Sequence, residues 1–146
     1  MAISKLDEKA FLNVDLEIFS GSNLSPLVSA FRRNVMVLYL AMEFGKHKAY
    51  LELAGYDKTP DSCIAKFCKL IQKLPPEPRR IWDRAEYRSF DIGFEAPKKG
   101  RFYWGAVSQE AVRAAAEVGA RIAITVYGPM RVMKPVKKTA RAKPTG

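Results

Sequence analysis

The chain has 146 residues, of which 48% are hydrophobic and 27% are charged. This length and composition suit one globular domain and exclude a fibrous or wholly disordered chain. The formal net charge is +10, and six of the basic residues follow residue 130 with no acidic residue among them. An anionic partner is therefore expected for the C-terminal segment more than for the rest of the chain.

The sequence also argues against a membrane-spanning helix, a secretory signal and a zinc site. Its longest apolar run, Val35–Met42, is too short for a bilayer-spanning helix, and the charged N-terminus does not resemble a secretory signal. We therefore expect a cytoplasmic protein without membrane contact. Cys63 and Cys68 are expected to be buried and reduced, and with the single histidine, His47, they do not match a zinc-ligand pattern. Neither a metal nor a cofactor is predicted.

The N-terminal half of the pattern predicts a strand, a helix and a hairpin. Residues 11–19 alternate between apolar and polar side chains, as in a strand with one buried face. Ser25 is expected to cap the following helix, with Pro26 in its first turn. The apolar segment Val35–Phe44 predicts a strand buried on both faces, and it forms a hairpin with the strand His47–Leu53.

Two helices are predicted after the hairpin. Thr59 is the expected cap of the first helix, which ends at Pro75-Pro76. A shorter helix over residues 78–86 is expected to point Trp82 into the core.

The remaining pattern predicts strand, helix and strand. Apolar side chains alternate over residues 90–94, Ser108 can cap a helix that continues to Val118, and Arg121–Tyr127 alternates again. The complete order predicts an α+β fold with a single mixed or antiparallel sheet and helices on one face, a ferredoxin-like elaboration. Residues 11–129 are the predicted domain, preceded by an extension (1–10) and followed by a basic tail (130–146) whose composition is typical of disorder.

Three stretches support this division: FLNVDLEI at 11–18, LPPEPRRIWDRAEYRSFDIGF at 74–94 and GARIAITVYGP at 119–129. Together they resemble a group of small bacterial proteins of unknown function, in which these segments recur in this order. The resemblance implies a bacterial origin and a single-domain unit. It supplies neither an activity nor an active site.

The polar sides of the predicted strands offer one candidate site. If the strands are neighbours, Asn13, Asp15, Glu17, Asp91 and Arg121 share one surface, which could bind a ligand or a protein partner. Paired carboxylates could also support acid–base catalysis if a cleft excluded water. A solvated face with Arg121 paired to an aspartate explains the same pattern.

A second candidate is the segment 98–105, in which Lys98, Lys99 and Arg101 precede Tyr103 and its aromatic neighbours. Cations and rings in this arrangement can contact phosphates and stack on bases. The alternative is a hairpin-like loop whose flanking rings, those of residues 102 and 104, pack on the core.

The basic tail is the third candidate. Its lysine, alanine and proline content is typical of segments that contact nucleic acid or another polyanion, although such tails also serve solubility. Its six cationic residues are Arg131, Lys134, Lys137, Lys138, Arg141 and Lys143.

These features favour a non-catalytic binding or regulatory domain that self-associates or docks a protein partner through its sheet face, with the tail able to contact polyanions. One alternative is a small hydrolase or transferase that uses Asp15, Glu17 and Asp91. Another is an RNA-binding domain that uses the aromatic residues 102–104.

Overall fold

The computed structural model describes residues 10–55, 57–97 and 102–128. Within these ranges one open, mixed sheet of five strands packs with four α-helices, which confirms the predicted α+β class. None of these helices is long and apolar enough to cross a bilayer. In chain order the elements are β1 (Phe11–Ser20), α1 (Ser25–Ala30), β2 (Val35–Glu43), β3 (Lys46–Leu53), α2 (Pro60–Gln72), α3 (Pro76–Arg84), β4 (Tyr87–Glu95), α4 (Gln109–Glu117) and β5 (Arg121–Tyr127).

The sheet order is β2-β3-β1-β4-β5. The first four strands in this order are antiparallel, and β1 lies between β3 and β4. The two strand–helix–strand units therefore interleave, as in the split arrangement of ferredoxin-like folds. The elaboration is β5, which α4 returns to the sheet parallel to β4.

The helices pack on one face of the sheet and form the core there. Val14, Leu16 and Ile18 of β1 alternate toward this face and are at most 2% exposed. Phe67 of α2 stacks on Phe90 of β4, with ring centroids 5.7 Å apart. Burying each such side chain contributes about 1.5–3 kcal/mol, which stabilises this face against the helices.

Two of the three predicted helix N-caps are confirmed. The hydroxyl of Thr59 accepts a hydrogen bond from the Ser62 N–H at 3.1 Å, and Ser108 caps α4 with the same geometry. The prediction for Ser25 is wrong, because α1 begins after Leu24. The side chain of Asn23 instead accepts the Ser25 N–H at 2.9 Å and starts the turn earlier.

The prediction that β2 is buried on both faces is also wrong. Val35 is buried, but the apolar side chains that follow it are between 41% and 60% exposed. The cause is topological: β2 lies at the edge of the sheet, and the helices cover the strands nearer the centre. The exposed apolar residues of β2 are Met36, Val37, Leu38, Leu40 and Met42.

Candidate functional site: an acidic cluster on the open sheet face

The face of the sheet opposite the helices, called here the open face, brings most of the predicted polar residues together. Asn13, Asp15 and Glu17 lie on the central strand β1. Asp91 of β4 is directly opposite Asp15 in the antiparallel register. The sequence-predicted carboxylates are therefore immediate neighbours at the centre of the sheet.

A fourth carboxylate completes this group. Glu52 of β3 lies opposite Asp15 on the other side from Asp91, so Asp15 is flanked by an acid on each neighbouring strand. We call Asp15, Glu17, Glu52 and Asp91 the acidic cluster. The alternation of β3 could have assigned Glu52 to this face, but its position beside Asp15 depends on the strand order.

Two neutral side chains hold the carboxylates in place. The amide of Asn13 donates hydrogen bonds to Asp15 at 3.0 Å and to Glu52 at 3.2 Å. The hydroxyl oxygen of Thr125, on β5, lies 2.8 Å from each carboxylate oxygen of Asp91. These contacts orient the acidic cluster without neutralising its charge.

The crowding of the acidic cluster raises two pKa values. Burial, followed by repulsion from Glu52, Asp91 and Glu17, raises the pKa of Asp15 to about 6. Burial and repulsion from Asp91 also raise the pKa of Glu17. Holding these groups charged therefore costs free energy that a bound cation would offset.

Ser89 adds a buried hydroxyl to the same face. It lies opposite Glu17 on β1 and Arg121 on β5, and it is fully buried. Its neighbour Phe90 faces the helices, so the alternation of β4 places Ser89 on the open face with Asp91. Among the described residues its Oγ has no hydrogen-bond partner, which ordinarily costs about 1–3 kcal/mol.

Aromatic rings border the acidic cluster along the open face. Phe19 stacks on Tyr87 with ring centroids 4.5 Å apart. The ammonium of Lys48 lies 5.0 Å from the Phe19 ring centre, and the guanidinium of Arg121 lies 4.4 Å from that of Tyr87. Arg121 thus covers a ring instead of pairing with an aspartate, and this face already binds two of the protein's own cations through its rings.

The surroundings of the acidic cluster suit an extended ligand better than a small molecule or a metal ion. A cavity beside it, lined in part by Asn13 and Glu52, has a volume of about 40 Å³. Small-molecule sites usually enclose about 300–1,000 Å³. Within residues 10–55, 57–97 and 102–128, no three His, Cys, Asp or Glu side chains are placed to hold a metal ion.

The cysteines do not supply a nucleophile for this face. Cys63 and Cys68 are free and buried, as predicted, and lie on α2. Burial raises the pKa of each thiol to about 11. Both thiols therefore stay protonated near neutral pH.

Comparison with known protein families, curated proteins and solved structures finds no match. The geometry of the open face is therefore the basis for a functional proposal.

The second candidate segment differs from its predicted packing. Phe102 and Trp104 are 76% and 59% exposed, so the prediction that these two rings pack on the core is wrong. The ring between them, Tyr103, packs on Phe94 of β4 with centroids 5.3 Å apart. Residues 102–105 have no regular strand structure, so the alternation of a strand does not apply to them.

The remaining predicted anion contacts lie outside the described residues and stay predictions. They are Lys98, Lys99, Arg101, Arg131, Lys134, Lys137, Lys138, Arg141 and Lys143.

Proposed function

We propose that this protein is a non-catalytic binding domain whose open face binds arginine or lysine side chains on an extended segment of a protein partner. One observation carries the proposal. The four carboxylates of the acidic cluster lie together without an ion pair to any described cation, and the unpartnered hydroxyl of Ser89 lies beside Glu17.

A cation would relieve the cost of this arrangement. Asp15 is charged at neutral pH despite burial and three acidic neighbours. A positive group beside it therefore lowers the free energy of the charged carboxylate. A guanidinium is suited to this role because it can donate two parallel hydrogen bonds to one carboxylate. The rings of Phe19 and Tyr87 already hold Lys48 and Arg121, so the carboxylates are the groups offered to a ligand.

The shape of the site favours a peptide segment over a free small molecule. The acidic cluster spans the three central strands β3, β1 and β4 on an open surface, and the adjoining cavity has space for only a few water molecules. Side chains that project from an extended segment can reach such a surface at several points.

The first test is binding of a fluorescein-labelled hexa-arginine peptide to the full chain, measured by anisotropy. The protein has a net charge of +10, so uptake of a cationic peptide requires a local negative site. We expect Asp15→Asn/Asp91→Asn to weaken binding at least about tenfold, equivalent to about 1.4 kcal/mol.

The matched control is Glu77→Gln/Glu117→Gln, which removes the same charge from exposed positions of the helices. Equal weakening by both double variants would show that net charge alone governs binding, which contradicts the proposal. A lowered pH provides a second readout. Protonation of Asp15 near pH 6 should weaken binding between pH 7 and pH 5 more in the control than in the double variant, which keeps only Glu17 as a carboxylate with a raised pKa.

An enzyme that uses the same carboxylates is the alternative. A hydrolase or transferase activity found by substrate screening and lost in Asp15→Asn/Asp91→Asn would favour that function instead.

A further inference from the structure

The exposed edge of the sheet at β2 is the second unexplained surface. From Val35 to Met42 the strand carries no charged residue. The hairpin residue Phe44 follows it and is fully exposed. We call this the β2 edge surface; its exposed apolar residues are Met36, Val37, Leu38, Leu40, Met42 and Phe44.

Edge strands normally carry features that prevent pairing with another chain, such as lysine, proline or inward-pointing charge. In β2 a bulge between Val37 and Tyr39 is such a feature, because it bends the strand locally. Beyond the bulge, Tyr39–Glu43 keeps a regular register with β3 and leaves its outer edge available for pairing. The sequence of this stretch therefore permits association.

We propose that β2 pairs antiparallel with β2 of a second copy of this chain. A strand without charge between Val35 and Met42 can meet itself without repulsion, whereas a charged edge would require a complementary partner. The acid at its end, Glu43, is paired with Lys48 at 3.1 Å and accepts a hydrogen bond from Tyr39 within its own chain. Its charge therefore does not oppose self-pairing.

The exposed area also suits a dimer. At their observed exposures the six side chains of the β2 edge surface present on the order of 600 Å² of apolar area, against about 800 Å² per partner in a standard interface. Backbone pairing of the two strands supplies the rest. Because side chains along a strand alternate between its two faces, this area flanks the edge on both sides of the sheet.

The proposed register between the two copies centres on Ala41, the middle residue of the regular stretch Tyr39–Glu43. A two-fold axis at Ala41 places Leu40 opposite Met42 of the partner and, just outside the regular stretch, brings Leu38 near Phe44. Apolar residues then meet apolar residues on both sides of the axis. The same axis places Tyr39 opposite Glu43, two groups that already share a hydrogen bond within one chain.

This dimer would present both ligand sites in one direction. Two identical strands that pair antiparallel in one sheet are related by a two-fold axis perpendicular to that sheet, so the open faces lie on the same side of ten strands. This consequence rests on the proposed function. If each acidic cluster binds a cationic segment, a dimer binds two linked segments with increased avidity.

Sedimentation equilibrium of the full chain over a range of concentrations tests the dimer. We expect a reversible dimer for the natural chain and at least about tenfold weaker association for Met42→Lys, which adds an edge charge. The control Val112→Lys places the same charge on an exposed apolar position of α4 and should leave association unchanged. A natural chain that stays monomeric, or equal loss in both variants, would overturn the proposal.

Cysteine cross-linking tests the register without a charge change. Under mild oxidation Ala41→Cys should form a covalent dimer, whereas the exposed helix residue Ala116, replaced by cysteine, should not. The natural thiols are buried, with pKa values raised to about 11, and should stay unreacted. Equal cross-linking at both positions would reject this pairing.

Ligand binding by the acidic cluster and dimerisation through β2 can be tested independently of each other. Folded, monomeric Met42→Lys should still bind hexa-arginine, because the acidic cluster lies on β1, β3 and β4. Asp15→Asn/Asp91→Asn should still dimerise. Circular dichroism of each variant distinguishes loss of association from loss of folding.

Discussion

Asp15 and Asp91 lie directly opposite each other on the neighbouring antiparallel strands β1 and β4. Like charges in this position destabilise a sheet. The pair is nevertheless held in the centre of the open face, where Asn13 and Thr125 donate to its oxygens. Such an arrangement lowers stability at neutral pH and leaves a negative site to which a cation can bind.

The first prediction concerns stability and pH in Asp15→Asn. The folded pKa of Asp15, about 6, exceeds its ordinary value of 3.8, so the neutral carboxyl is the form that folding favours. This favourable contribution is complete below about pH 4 and is lost as the pH rises through 6. An asparagine stays neutral and still accepts the Asn13 hydrogen bond. Asp15→Asn should therefore be more stable than the natural chain at pH 7 by about 1 kcal/mol after solvent screening.

Urea unfolding at pH 7 and at pH 4 measures this difference, which should disappear at the lower pH. Asp83→Asn is the control, because Asp83 is an exposed partner of Arg79 on α3. A stability gain for Asp15→Asn that is the same at both pH values would contradict the electrostatic explanation.

The second prediction concerns the buried tryptophan. The indole N–H of Trp82 donates to the carbonyl oxygen of Val118 at 2.8 Å and joins α3 to the end of α4. Trp82→Phe removes the donor, leaves that carbonyl unpaired and opens a cavity. Its expected cost is about 2–4 kcal/mol in urea unfolding. Trp104→Phe, at an exposed position, should cost under about 0.5 kcal/mol; similar costs for the two would contradict this role of Trp82.

The features that the sequence predicted correctly are local. Thr59 and Ser108 cap helices because a hydroxyl at that position meets an N–H three residues later, whatever the fold. The alternation of β1 likewise separates a buried face from a polar one. Each of these depends only on residues that are close in sequence.

Apart from the cap at Ser25, the errors arise where the result depends on residues distant in sequence. The apolar run of β2 is typical of a central strand, and only the strand order shows that β2 lies at an edge. The approach of Glu52 to Asp15 depends on the same order, because 37 positions separate them along the chain. Alternation alone cannot supply that neighbour.

The third prediction tests the support of the acidic cluster. A Cβ on Gly93 would lie 2.6 Å from the side-chain oxygen of Asn13, whose amide holds Asp15 and Glu52. Gly93→Ala should therefore displace Asn13 and cost about 1 kcal/mol. In an Asn13→Ala background the clash is absent. The cost of Gly93→Ala should then fall to about zero, because alanine at position 93 restricts the unfolded chain and offsets any remaining strain.

A double-mutant cycle by urea unfolding measures this coupling. Gly21→Ala is the control, since the nearest atom to its Cβ would be 3.9 Å away. The same cost for Gly93→Ala in both backgrounds would show that Asn13 is not the obstacle.

The fourth prediction separates stability from association at the hairpin. Phe44 and Gly45 have φ values of +50° and +77°, as in a two-residue turn with both central residues left-handed. Asparagine adopts this conformation more readily than phenylalanine. Phe44→Asn should therefore stabilise the monomer by about 1 kcal/mol, measured by urea unfolding in the Met42→Lys background to remove association.

The same substitution should weaken the dimer, because the proposed register packs Phe44 against Leu38 of the second copy. Sedimentation equilibrium of Phe44→Asn in the otherwise natural chain measures this effect. Phe102→Asn removes an exposed ring outside the β2 edge surface and should change neither property. If Phe44→Asn stabilises the monomer and leaves association unchanged, the ring is not part of the interface. If it weakens association, the contact that Phe44 makes in the dimer explains why an aromatic residue occupies this strained turn.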